Sequence, residues 1–190
     1  ESRGLGDVYK RQFLSLPKEA IITPMREHQR YFPVVDEEGR LLNKFITVRN
    51  GGKEFLDVVA HGNERVLRAR LSDAEFFFNE DRKLKLEDRL EKLKTVSFQE
   101  GLGNMYDKSE RLAKLAEMVK FAINVKVDDT NLKRTALLSK TDLVAGMVVE
   151  FTELQGVMGR EYAKLDGEPA EVAAVSYTHL RAHETPEHLV

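Results

Sequence analysis

Three arginines fall in the short string Asn63-Glu64-Arg65-Val66-Leu67-Arg68-Ala69-Arg70, and Arg65 and Arg68 have the i, i+3 spacing of helix neighbours. Guanidinium groups held close together suit phosphate oxygens, because each planar fork donates paired hydrogen bonds. Lys108 and Arg111 repeat the same spacing further along. These five cations are the candidate contacts to a phosphate backbone or a partner; the competing reading is ion pairing with nearby acids such as Glu64 and Asp73. A second constellation is Lys140-Thr141-Asp142, which interrupts the apolar run from Leu137 to Phe151. Leu137, Val144, Val148 and Phe151 form one helical stripe there, and Leu138, Ala145 and Val149 form another. Asp142 falls on the second stripe, four residues after Leu138. A charge buried at that position must find a partner or shift its pKa, as a structural polar network or as the floor of a site.

Other chemistry-bearing residues carry less. Gly101-x-Gly103 ahead of a helix can present amides to phosphate. It lacks the third glycine of a dinucleotide fingerprint and the Gly-Lys-Ser/Thr of a P-loop, and reads as a connecting loop. Asp73, Glu75, Glu80 and Asp81 are potential metal carboxylates. Only Asp73 and Glu80 share a helix face, so the four read as solvated. His28 and His61 stand alone, without an acid partner in sequence. His179 and His183 have the i, i+4 spacing of a zinc pair, but they lie with His188 in a stretch without period.

The elements that must position these groups are a short β piece and a series of helices. Tyr31 to Val35 and Lys44 to Val48 are β-branched and aromatic runs on either side of the polar turn Asp36-Glu37-Glu38-Gly39-Arg40, which predicts a hairpin. Pro17 before Lys18-Glu19-Ala20 marks a helix start, and Pro24 stops that helix from running on. Leu86, Leu90 and Leu93 predict one amphipathic helix, and Leu112, Leu115, Val119 and Ala122 predict another, capped near Asp107. A third long helix is expected from about Asn131 to Phe151, largely buried.

Composition bounds the class. The chain has 190 residues, 42% hydrophobic and 33% charged, with a net charge of −2. A near-neutral total means that any nucleic-acid surface must be a local patch. With no cysteine there is no disulfide framework, thiolate zinc or thiol chemistry. No apolar run approaches the roughly eighteen residues of a membrane helix, and a soluble, cytoplasmic protein is expected. The ends differ from the middle: Glu1 to Gln12 and Val175 to Val190 are aperiodic and resemble translated adapter sequence. Residues 1–12 and 175–190 are therefore expected to be disordered artefact, with 13–100 a β-hairpin plus helices and 101–174 a partial helical domain.

Several strings together resemble the β subunit of the bacterial tetrameric glycyl-tRNA synthetase: Tyr31-Phe32-Pro33-Val34, Gly62-Asn63-Glu64-Arg65-Val66 continuing as Arg68 to Asn79, Leu138-Ser139-Lys140-Thr141-Asp142-Leu143, and Glu150-Phe151-Thr152-Glu153-Leu154-Gln155-Gly156-Val157-Met158-Gly159. They run in the family's order from about residue 13 to 174. The resemblance implies an internal fragment with an α+β, mainly α fold, a short β-hairpin region followed by an HD-like helical region. It implies a subunit of glycine–tRNA ligase that positions tRNA(Gly) and organises the heterotetramer. Glycine, ATP and Mg would then be handled by the separate α subunit, leaving this fragment with no catalytic residue, no metal and no cofactor of its own. Hydrolases that share the HD fold need a His-Asp dipeptide, which this chain does not contain. A metal-dependent phosphohydrolase and a purely structural helical module are the alternatives.

Overall fold

The hairpin forms where β-branched and aromatic residues flank a turn that one aspartate can close. In the computed structural model, which describes residues 10–52 and 54–183, strands β1 (Phe32–Val35) and β2 (Leu41–Ile46) pair antiparallel, with Phe32 opposite Ile46. Asp36 Oδ1 accepts from the amides of Glu38 at 3.1 Å and Arg40 at 2.8 Å, and Oδ2 accepts from Arg40 Nε at 2.7 Å. This Asx geometry lets strand pairing restart at Leu41, three residues earlier than the run Lys44 to Val48 suggests.

The chain forms two compact units, Glu1–Asn79 and Glu80–Val190; the boundary expected near residue 100 falls inside the second. In the first unit, α1 (Lys18–Thr23) gives way at Pro24 to a π-type turn, Pro24–His28. The hairpin follows, and then α2 (Leu56–Asp81), which carries the chain into the second unit. Leu67, Leu71, Ala74 and Phe78 recur at i, i+4, i+7 and i+11 and give α2 a buried face. Phe13, Ile21 and Met25 are also buried in this unit.

The second unit is mainly α. Leu86 and Leu93 are buried, but the expected helix is a 3₁₀ segment, Glu87–Thr95, with Leu86 at its N-cap. A small hairpin follows, β3 (Ser97–Gln99) with β4 (Gly103–Asn104), then α3 (Met105–Ile123). Asn104 and Asp107 form a reciprocal capping box, the Asp107 amide donating to Asn104 Oδ1 at 3.0 Å and the Asn104 amide to Asp107 Oδ2 at 2.9 Å. Gly103 has φ +81°, and a Cβ there would run into the Asp107 carboxylate. Gly103→Ala is therefore expected to destabilise the unit by about 1–2 kcal/mol, through backbone strain and loss of the cap. A thermal melt of the variant measures this.

The long helix expected from Asn131 to Phe151 is broken in the structure. Helix α4 (Asp129–Leu138) is followed by a 3₁₀ turn, Thr141–Val144, by α5 (Gly146–Glu150) and by another 3₁₀ turn, Thr152–Leu154. Ser139 Oγ donates to the Ala136 carbonyl at 3.0 Å and Thr141 Oγ1 to the Leu138 carbonyl at 2.7 Å. Hydroxyls taking the last carbonyls compete with the helical ladder. Helices α6 (Val157–Leu165) and α7 (Ala170–His183) complete the unit. Arg134 ties three segments together, donating to both oxygens of Glu168 at 2.6 Å and to Glu87 at 2.7 Å.

The architecture is α+β, mainly α. Helix α7 continues past residue 175, where the sequence shows no period. Residues 1–9 and 184–190, with His188, lie outside the described residues, as do the side chains of His28, His179 and His183. No helix among the described residues is long and apolar enough to cross a membrane.

Candidate functional site

The basic residues singled out in the sequence occupy two places. Arg65, Arg68 and Arg70 are all on α2, in the first unit. Since the buried face of that helix is set by Leu67, Leu71, Ala74 and Phe78, Arg65 and Arg68 project away from it, about 60° apart around the axis. Both are exposed, and neither makes an ion pair with Glu64, Asp73 or any other described residue. Arg70 flanks the core face, is half-buried and has interactions of its own. The three guanidiniums thus do not form one cluster. Lys108 and Arg111 belong to α3, in the second unit. Lys108 Nζ sits 4.1 Å from the Phe98 ring centroid, in cation–π geometry, whereas Arg111 is exposed.

Lys140, Thr141 and Asp142 are all buried. Asp142 Oδ2 accepts from the amides of Gly156 at 2.6 Å and Gly159 at 3.1 Å. These amides belong to the N-terminus of α6, which has no capping side chain of its own. Gly156 holds φ +77° there, a conformation suited to glycine. Asp142 therefore caps α6 from outside the helix, matching a carboxylate to the positive end of the helix dipole. Its Oδ1 has no partner among the described residues. Burial dominates and pushes the carboxyl up to about 6, against the opposing amide bonds and the Lys140 charge.

Asp81 is a second buried carboxylate, and it corrects the expectation of a solvated acidic run. Its Oδ1 and Oδ2 accept from the amides of Gly146 at 2.8 Å and Met147 at 2.9 Å, at the start of α5. Tyr162 Oη donates to Oδ2 at 2.8 Å. Arg89, itself buried, lies 3.4 Å from Oδ1 and donates to the Asp81 carbonyl at 2.5 Å. Burial, with the Asp81 carboxylate beside it, raises the Tyr162 phenol far above its ordinary range. Two buried aspartates thus each hold a helix start. Periodicity does not disclose this role for Asp81, since the donors to its carboxylate, Gly146, Met147 and Tyr162, are 65 or more residues away in sequence.

Among the described residues, no three His, Asp or Glu side chains come together as metal ligands would. The strings that carry the family resemblance meet in space instead. Tyr31 Oη donates to Asn63 Oδ1 at 3.1 Å while its ring stacks on Phe45, joining Tyr31-Phe32-Pro33-Val34 to Gly62-Asn63-Glu64-Arg65. Asp142 joins the Ser139-Lys140-Thr141-Asp142 string to Gln155-Gly156-Val157-Met158-Gly159.

The comparisons with known proteins agree with this. The family model described as "Glycyl-tRNA synthetase beta subunit" matches residues 5–189. The "Glycine--tRNA ligase beta subunit" of Trichlorobacter lovleyi is 58% identical over 162 residues, 85% of this chain and 23% of that protein. The protein of that name from Geobacter sulfurreducens is 56% identical over 167 residues, 88% and 24% of the two chains. The one from Bacillus subtilis is 49% identical over 174 residues, 90% and 25%. The chain thus spans about a quarter of the length of these curated relatives. With the family model covering nearly its whole length, the chain belongs to the glycyl-tRNA synthetase β subunit family.

Proposed function

We propose that this chain acts, as a segment of a glycine–tRNA ligase β subunit in the cytoplasm, to hold tRNA(Gly) so that its acceptor end reaches an active site on the α subunit of a heterotetramer. The observation that carries the reading is the pair of exposed guanidiniums of Arg65 and Arg68 on the solvent side of α2, neither ion-paired among the described residues. Exposed arginines without an ion-pair partner among the described residues are available to phosphate oxygens, and such contacts set register without reading sequence. Arg70, Lys108 and Arg111 are secondary contacts to tRNA or a partner. The contribution is positioning, which raises the effective concentration of the reacting ends.

ATP and Mg belong to the complete enzyme in this reading. The donor set here does not suit them, because both buried carboxylates, Asp81 and Asp142, are aimed at amide donors in the interior. No chemical step is assigned to residues of this chain.

The test is tRNA affinity as a function of salt for the assembled synthetase carrying Arg65→Glu and Arg68→Glu. Each lost phosphate contact lowers the slope of log K against log salt by roughly 1, so the double variant is expected to lose roughly 2. The thermal melt should be unchanged, since both side chains are exposed. An unchanged slope with full affinity would assign the two arginines to solvation alone.

A further inference from the structure

We infer that Asp142 Oδ1 is an internal water site, a ligand position built into the cap of α6. The two oxygens of this carboxyl are placed unequally. Oδ2 accepts from the amides of Gly156 at 2.6 Å and Gly159 at 3.1 Å. Oδ1 is fully buried and has no hydrogen-bond partner among the described residues. The hydroxyls closest to it in sequence or in the same polar cluster are committed elsewhere. Ser139 Oγ donates to the Ala136 carbonyl, Thr141 Oγ1 to the Leu138 carbonyl and Tyr162 Oη to Asp81 Oδ2. A hydroxyl has one hydrogen to give, so none of the three turns to Oδ1 without leaving its own acceptor. A buried oxygen without a partner is costly in either protonation state. Ordered water is what satisfies buried polar atoms that the chain itself does not reach.

Two arguments select water over an ion. The first is proton placement. Because Oδ2 faces two N–H donors, the carboxyl proton, when present, resides on Oδ1. Protonated, Oδ1 needs an acceptor; ionised, it needs a donor. Water is both, whereas a metal cation serves only the ionised form. The second is charge. Lys140 is buried and its ammonium acts on Asp142, and the carboxyl already faces the positive end of the α6 dipole. Buried Arg89 and Asp142 both act on Tyr162, so the guanidinium belongs to the same polar cluster. The other acid there, Asp81, is taken up by Gly146, Met147, Tyr162 and Arg89. A further cation would thus enter a site where three sources of positive potential already act on one carboxylate. Arg89 Nε also lacks an acceptor among the described residues. With Asp142 ionised, the cluster is therefore short of one donor and one acceptor, which is the hydrogen bonding that water supplies.

This inference rests on the Asp142 geometry and not on the tRNA-contact reading, and its test involves no tRNA. Crystal structures of the full-length β subunit carrying this segment are compared for the parent and Asp142→Asn, at a resolution that shows ordered water. In the parent, a density peak is expected about 2.5–3.2 Å from Asp142 Oδ1, belonging to no protein atom. In the variant, the amide oxygen keeps the Gly156 and Gly159 amides and the NH₂ group takes the place of Oδ1. The peak should persist there, because an amide NH₂ donates to water. Parent crystals soaked in a rubidium salt should give no anomalous signal at the peak. Loss of the peak in Asp142→Asn, or a rubidium signal on it, would reassign the site to a cation and overturn the inference. A parent map in which Oδ1 meets a protein donor, or meets no density at all, would overturn it equally.

Discussion

Replacing Asp81 by alanine is expected to lower the melting temperature of the chain by roughly 10 °C. The substitution takes the acceptor from the amides of Gly146 and Met147 and from Tyr162 Oη, and it removes the counter-charge of buried Arg89. Removing one partner of a buried ion pair costs about 3–5 kcal/mol, since the remaining charge stays desolvated. In a chain of this size each kcal/mol corresponds to about 2–4 °C. Arg89 Nε has no acceptor among the described residues, which leaves the guanidinium little reserve. Asp81→Asn keeps an acceptor and should fall between the parent and the alanine variant. Adding Arg89→Met to Asp81→Asn should recover part of the loss, because it takes away the stranded charge. A calorimetric melt of the four proteins measures the series. A parent-like transition for Asp81→Ala would show that α5 is held by apolar packing alone.

The second large effect concerns Asp142 and pH. Its carboxyl titrates near 6 in the folded chain, raised from an ordinary value of 3.8 chiefly by burial. A carboxyl with a raised folded-state pKa binds its proton more tightly folded than unfolded. Its stabilising contribution is full below pH 3.8, and it is lost as pH rises toward 6. By pH 7 the charged form weakens the fold, relative to the protonated one, on the order of 3 kcal/mol. Asp142→Asn should abolish this dependence while retaining an oxygen for the amides of Gly156 and Gly159. The difference in unfolding free energy between parent and Asn variant, followed by denaturant titration from pH 4 to 8, is expected to shift in favour of Asn as pH rises. Asp142→Ala should instead destabilise at every pH, by about 2–4 kcal/mol, because two buried amides lose their acceptor. A parent–Asn difference that does not vary with pH would place the Asp142 titration outside this window. If Asp142→Ala were as stable as Asn, the cap on α6 would contribute nothing.

Asp81 and Asp142 also mark how far local sequence goes. The hairpin was legible because its signals are local: two β-branched runs, with Asp36 and Gly39 between them to close the turn. The start of α3 was legible to within a turn from Asp107, but the N-cap is Asn104, with Asp107 closing the capping box from N3. The spacing of Arg65 and Arg68 and the strings that carry the family resemblance are likewise properties of the chain itself. The hairpin, the amphipathic character of the helices, the family and the basic pair are thus local or linear properties of the chain. Asp142 was marked as a charge on a buried face, and it is buried, but nothing local marked Asp81 or Arg89. Asp81 belongs to an acidic run that reads as solvated, and it is buried because Gly146, Met147 and Tyr162 converge on it from distant positions, with Arg89 from the next segment. The helix expected from Asn131 to Phe151 breaks for a related reason. Hydroxyls at Ser139 and Thr141 take the carbonyls at the end of α4, while Asp81 and Asp142 hold the starts of α5 and α6. Periodicity likewise shows that α3 has an apolar face and says nothing of what covers it. Turns, caps and amphipathic faces depend on residues within about a turn of one another. Burial, and with it the partner and pKa of a charge, depends on which distant segments pack together, and only the tertiary structure decides that.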